Sequence, residues 1–182
     1  MADAIKTTVA SMRLTPVTTT RIGSKVSNAI LPNGVQYAYT TPEPLHTPYD
    51  VSGFGGDENK QSFCIQLDES CQDFWHTLRD ALRDHAAKQL DLDPAQFHDF
   101  IKQSNYGDLV KVKIARGHHP TQWWDANKNL LPEPPDSIAG TRCRVRVVFS
   151  SVWIQKSSWG FILQASHIEH HPDAEMQECP FV

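Results

Sequence analysis

Thr141-Arg142-Cys143-Arg144-Val145-Arg146-Val147-Val148-Phe149, then Trp153-Ile154-Gln155-Lys156, then Trp159-Gly160-Phe161-Ile162-Leu163-Gln164-Ala165-Ser166-His167-Ile168, is the stretch that decides the fold. Cys143, Val145 and Val147 alternate with Arg142, Arg144 and Arg146, the period of a strand that buries one face and wets the other. Ser157-Ser158 reads as the turn between this strand and a last long one. Upstream, Leu109 to Arg116 repeats the pattern, with Val110, Val112 and Ile114 on one side and Lys111 and Lys113 on the other. Ser62-Phe63-Cys64-Ile65-Gln66-Leu67 adds a short strand.

Nearer the start, Ala29-Ile30-Leu31 runs into Pro32-Asn33-Gly34 and leaves through Val35-Gln36-Tyr37-Ala38-Tyr39. Asn-Gly between two β-prone runs predicts a hairpin. Residues 40–60, with Pro42, Pro44, Pro48, Gly53, Gly55 and Gly56, read as a loop. From Asp68, apolar side chains at Cys71, Phe74, Trp75, Leu78, Leu82, Ala86 and Leu90 recur three and four apart, which predicts a helix. A second helix is expected from Pro94, capped by Asp93, with Phe97, Phe100 and Ile101 as its apolar stripe. Both stripes read first as core packing. The sum is a mainly β chain with a helical insert (α+β): an antiparallel barrel or sandwich rather than alternating βαβ units.

The 182 residues suit one domain with tails: a basic Ser/Thr-rich arm at 1–28, a body at 29–168 with a helical insert at 68–104, and an acidic tail at 169–182 expected to be disordered. The acid-poor start also resembles a transit peptide, or an irregular first strand over Arg13 to Thr20. No apolar run approaches the roughly 18 residues of a membrane-spanning helix, so no membrane partner is expected. Cys64, Cys71, Cys143 and Cys179 form no CxxC pair and read as reduced thiols of an intracellular protein.

A net charge of −4 argues against a nucleic-acid binder on average, but charge is segregated. Residues 101–160 carry nine Lys/Arg against four acids, whereas residues 41–100 carry four against twelve. Lys111, Lys113, Arg142, Arg144 and Arg146 can therefore form one positive sheet face, where an ordinary soluble face would mix signs. Trp123, Trp124, Trp153 and Trp159 lie in the same basic half. A cationic groove for phosphates with aromatic rings for bases is how single strands are held. Some of these rings are expected in the core, but adjacent Trp123-Trp124 in a Pro-flanked loop should leave at least one exposed. Asp173, Glu175 and Glu178 then precede Cys179-Pro180-Phe181-Val182, an acidic tail with a buryable aromatic.

Lys111 and Lys113 in Leu109–Ile114, the Val145–Ile168 strands with Val152-Trp153-Ile154 and Trp159-Gly160-Phe161-Ile162-Leu163, and this tail together resemble the OB-fold single-stranded-DNA-binding proteins of phages and large DNA viruses. The resemblance covers about a third of the chain. It implies an OB-like antiparallel five-stranded barrel, binding without sequence preference, and no catalysis. It also implies that Asp173, Glu175, Glu178 and Phe181 compete for the groove and dock replication proteins. Single-stranded DNA is the expected partner, RNA and self-association stay open, and no cofactor is expected. The rival reading is a β-rich viral structural or protein-interaction module whose tryptophans anchor an interface. A metal-assisted hydrolase ranks below both, because His118, His119, His167, His170 and His171 have no Cys or acid at ligand spacing.

Overall fold

A computed structural model describes residues 2–21, 23–54, 57–117 and 119–172. In chain order its elements are α1 (Ala2–Ser11), β1 (Arg13–Leu14), β2 (Thr18–Thr19), β3 (Lys25–Ile30), β4 (Tyr37–Thr40), β5 (Leu45–Thr47), β6 (Ser52–Phe54), β7 (Asp57–Gln66), α2 (Gln72–Leu90), β8 (Ile101–Ser104), β9 (Gly107–Ile114), β10 (Gln122–Asp125), β11 (Thr141–Ile154) and β12 (Trp159–His171). The described residues are mostly β with two helices: α2 lies where the Cys71–Leu90 stripe predicts one, whereas α1 lies where the sequence gives no helix expectation.

β11 is the spine of the sheet. β12 pairs antiparallel along one edge, from Arg142↔His171 to Ile154↔Trp159. Three short segments laid end to end cover the other edge: β3 opposite Ser151 to Ile154, β4 opposite Arg146 to Phe149, and β5 opposite Thr141 to Cys143. The predicted hairpin is therefore corrected. Its turn forms, with Gly34 N–H donating to Leu31 O at 2.9 Å and Gly34 at φ 80°, but the flanking strands pair with β11 rather than with each other. A fourteen-residue edge gives both segments more ladder and more apolar contact than an isolated two-stranded ribbon would.

Beyond β12 lie β9, in parallel through Gln164↔Lys113 and Ala165↔Ile114, and then β7 and β6. All twelve strands belong to one hydrogen-bonded sheet whose main path runs β1-β3-β11-β12-β9-β7-β6. The expected closed five-stranded barrel is corrected accordingly. Short added strands lengthen both ends, and the described residues of β5 and β7 meet through a side-chain bond, His46 Nδ1 to Gln66 Oε1 at 2.9 Å, rather than through a backbone ladder. Bulges at Arg146/Val147 and Phe149/Ser151 bend β11 so that the sheet wraps its core.

α2 closes that core. Trp75, Leu78, Leu82 and Ala86 have no exposed surface, and the Trp75 ring lies 6.2 Å from Phe149 and 6.4 Å from Phe100. The second helix predicted from Pro94 is a single 3-10 turn, Pro94–Gln96. Asp93 does cap it, accepting from Ala95 N–H at 2.9 Å. Phe97 then turns extended, and His98 N–H donates to Trp159 O at 2.7 Å, so the chain enters β8 instead. Its aromatics bury by pairing: Phe97 sits 4.9 Å from Trp159.

Residues 2–21 and 23–30 are not a loose arm. Ile5, Val9 and Met12 are buried, and Met12 O accepts from His85 Nε2 at 2.8 Å on α2. Arg13 and Leu14 pair with Ile30 and Ala29. The Ser/Thr-rich composition masks Ile5 and Val9, which stand four apart and need only one helix face to reach the core.

At Gly160 a Cβ would stand 3.0 Å from His98 O and 3.1 Å from the Trp153 ring. Gly160→Ala is expected to cost roughly 1–3 kcal/mol, because neither a backbone carbonyl nor an indole ring lying against the glycine can yield cheaply. Chemical denaturation checks this. An unchanged midpoint would show that the contact relaxes freely.

Candidate nucleic-acid interface

On the face turned from the core, the strand registers align side chains into rows. One row runs Ala38, Val148, Gln164, Lys113, Ser62 across β4, β11, β12, β9 and β7. The next runs Thr40, Arg146, His167, Gln122, the last on β10, which continues the parallel pairing with β12 where β9 leaves it. Beyond come Arg144, Glu169 and Trp124, and then His46, Arg142 and His171. The five predicted cations thus share one outer surface, with Lys111 two residues before Lys113 on β9.

Lys111, Lys113, Arg142 and Arg146 are exposed and Arg144 is half-buried. Neutral acceptors orient the arginines: Arg144 Nε donates to Thr41 O at 3.0 Å, Arg142 Nη1 to Pro44 O at 3.2 Å, and Arg146 Nη1 to Ser166 Oγ at 3.3 Å. Among the described residues none of the five cations forms an ion pair. The helix contrasts with this. Arg79 and Arg83 on α2 are paired with Asp80, Asp84 and Asp99. Partial desolvation beside the sheet, with the like charges of Lys111 and Lys60, holds the Lys113 ammonium below the usual lysine range. Self-repelling cations without carboxylate partners favour an anion laid across them.

The tryptophans divide. Trp123 and Trp159 are buried, at 5% and 1% exposure, so their expected stacking roles are corrected. Trp123 is opposite Ile168 and faces inward once β10 joins β12. Trp159 Nε1 donates to Asp93 O at 2.8 Å. Trp124 and Trp153 are half-buried. Trp153 lies over Gly160, 5.8 Å from the His98 ring and away from the arginines. Trp124, in the row with Glu169 and Arg144, is the tryptophan the registers bring to the cationic face. Asp173, Glu175, Glu178 and Phe181, like His118, fall outside the described residues.

Two exposed aromatics were missed from the sequence. Tyr49 and Tyr106, 46% and 49% exposed, meet edge to face with centroids 5.6 Å apart. Tyr49 also borders a cavity of about 340 Å³ shared with Lys111. The available signal was position: Tyr106 sits in Asn105-Tyr106-Gly107 at a hairpin tip, with Gly107 at φ 90°. A ring at a turn tip has little core to join.

Histidines on and near this face set a pH dependence of stability. Burial, assisted by Arg146, depresses the His167 imidazole, and burial with His171 depresses that of His170, both below the ordinary 6.5. His98 is depressed too, by burial and Lys102. The folded chain therefore binds fewer protons than the unfolded one, so stability is complete above about pH 6.5 and falls as pH drops below it. Thermal midpoints are expected to be level from about pH 8 to 7 and lower by about pH 5.5, with a shallower decline in His170→Gln. Midpoints that rise on acidification would contradict the burial of these rings.

No protein-family model and no curated protein sequence matches this chain. Its fold does have solved counterparts. It is similar to the C-terminally truncated single-stranded DNA-binding protein of bacteriophage Enc34, with a TM-score of 0.51 at 13% identity over 90% of this chain and 97% of that one. It is equally similar to that phage's single-stranded DNA-binding protein without the truncation, at 0.51 and 11% identity over 93% and 96%. The partial resemblance to phage proteins of this class, suggested by the basic strands, is thus present in the architecture. At such identity it is a likeness of fold.

Proposed function

We propose that this chain is a non-catalytic protein that binds single-stranded DNA without sequence preference, across the outer face of β9, β12 and β11. The observation that carries the reading is the surface of Lys111, Lys113, Arg142, Arg144 and Arg146, aligned by register and without carboxylate partners among the described residues. The fold likeness to a phage protein that binds single-stranded DNA supports it.

We read the architecture as OB-like. β3, β4 and β5 act as one interrupted strand beside β11, and the circuit continues through β12, β9 and β7 back toward β5. In that arrangement β7 and β9 form the face that OB domains offer to oligonucleotides, together with the adjoining loops. Phosphates would lie on the lysines and arginines, and Trp124 would offer a ring edge beside Arg144. Cover of this kind would protect single strands during replication, recombination or repair, with Asp173, Glu175, Glu178 and Phe181 as a docking peptide for replication proteins.

Titration with a fluorescent oligo-dT at two salt concentrations tests the reading. Binding is expected at low salt and to weaken by orders of magnitude as salt rises, because phosphate contacts release counterions. Absence of binding at low salt would overturn the function. Tight, salt-insensitive binding would remove the cationic face from it.

A further inference from the structure

The face just described offers cations for phosphate but few rings, whereas single strands are usually held by stacked bases as well. Two rings stand close by. Tyr49 comes from the loop between β5 and β6, and Tyr106 from the tip of the β8–β9 hairpin. Both are about half exposed, yet they lie edge to face against each other, so the fold brings two solvent-facing aromatics together outside its core. Tyr49 borders the cavity of about 340 Å³ together with Asp50, Ser52, Ser62, Cys64 and Lys111, a size that suits a small planar ligand.

The platform is fixed in advance. Asp50 Oδ1 accepts from Val51 N–H at 2.8 Å and from Ile138 N–H at 3.1 Å, which ties the Tyr49 loop to a fully buried isoleucine. Beside it, Thr47 Oγ1 bonds the Ile138 carbonyl. Tyr106 N–H donates to Ser104 Oγ at 3.0 Å, holding the hairpin tip. Loops already held in place lose little backbone freedom when a base stacks on the rings they carry. Asp50 brings a carboxylate to the cavity, but its Oδ1 is taken by two backbone donors. Lys111 supplies a cation on the same wall, and Lys113 follows on the same side of β9.

We infer that the Tyr49–Tyr106 pair and the cavity that Tyr49 borders form a stacking subsite for one nucleobase, with Lys111 holding the adjoining phosphate. This rests on the single-strand reading above and adds to it the place where a base, rather than the backbone, is bound. Stacking on a ring face tolerates any base, so the subsite keeps binding indifferent to sequence.

The test uses the full chain and a labelled oligo-dT followed by fluorescence anisotropy. Tyr49→Ala and Tyr106→Ala are each expected to weaken binding by about 5- to 100-fold without changing the salt slope, since a ring and not a charge is lost. Tyr49→Phe and Tyr106→Phe are expected to bind like the parent. Photocrosslinking the unaltered protein to a 5-iodouracil oligomer is expected to mark Tyr49 or Tyr106, a readout independent of how the variants fold. Parental binding that persists in both alanine variants, or adducts that avoid both tyrosines, would overturn the subsite and leave the single-strand reading standing. A parent chain that fails to bind at low salt would remove both. Alanine variants that lose self-association while keeping DNA affinity would assign the pair to a contact between copies, and the subsite would fall.

Discussion

Lys111→Glu combined with Lys113→Glu is expected to lower affinity for a single-stranded oligomer by about a hundredfold or more at low salt. Two attractive charges become two repulsive ones at the point where β9 crosses to β12 through Gln164. The slope of log K against log salt is expected to become shallower by about 1.4, the share of two phosphate contacts on a single strand. Arg144→Ala with Arg146→Ala tests the other end of the face and is expected to reduce the slope similarly. Arg83→Gln is the control. Its guanidinium already serves Asp80 and Asp84 on α2, so DNA affinity is expected to stay as it was. Equal losses at Arg83 and at the sheet lysines would mean that only net charge matters, and the aligned rows would lose their role.

How far this surface is legible in the sequence differs strand by strand. β9, β11 and the helix announce themselves through period: two for Val110, Val112, Val145 and Val147, three to four for Phe74, Trp75, Leu78 and Leu82. β10 does not. Four residues between a glycine-led and a proline-rich stretch carry no usable alternation, and their strand character comes from the open edge of β12 beyond Ala165. Once that pairing exists, adjacent Trp123 and Trp124 must point to opposite faces, and inward burial of Trp123 follows. The same dependence on register hides Trp159, which is buried where β12 begins and bridged to Phe97. The cations were legible because a charged side chain reports its own face. A tryptophan does not, since its ring suits core and ligand equally. The hairpin reading misplaced β4 for a related reason: a turn fixes where the chain bends, while the partner is chosen by the longest available edge.

Trp75→Ala is expected to cost about 3–5 kcal/mol, enough to leave a domain of ordinary stability largely unfolded near its working temperature. The ring has no exposed surface and joins the helix to the sheet, with Tyr39 at 5.7 Å, Phe149 at 6.2 Å and Phe100 at 6.4 Å. No single rotamer change can fill a gap bounded by rings from α2 itself, β4, β11 and the approach to β8. Trp75→Phe should behave differently. The indole Nε1 is buried without a hydrogen-bond partner, which costs the folded state roughly 1–3 kcal/mol in lost hydration. Phenylalanine removes that donor along with some volume, so the two effects oppose and the net change is expected to stay within about 1–2 kcal/mol. Urea denaturation of the two variants separates the contributions. If Phe destabilises as severely as Ala, shape rather than the stranded donor governs the site. If Phe preserves stability and DNA binding while Ala loses both, α2 acts on the interface through packing, by holding β11 in the curvature that carries Arg144 and Arg146 on its outer side.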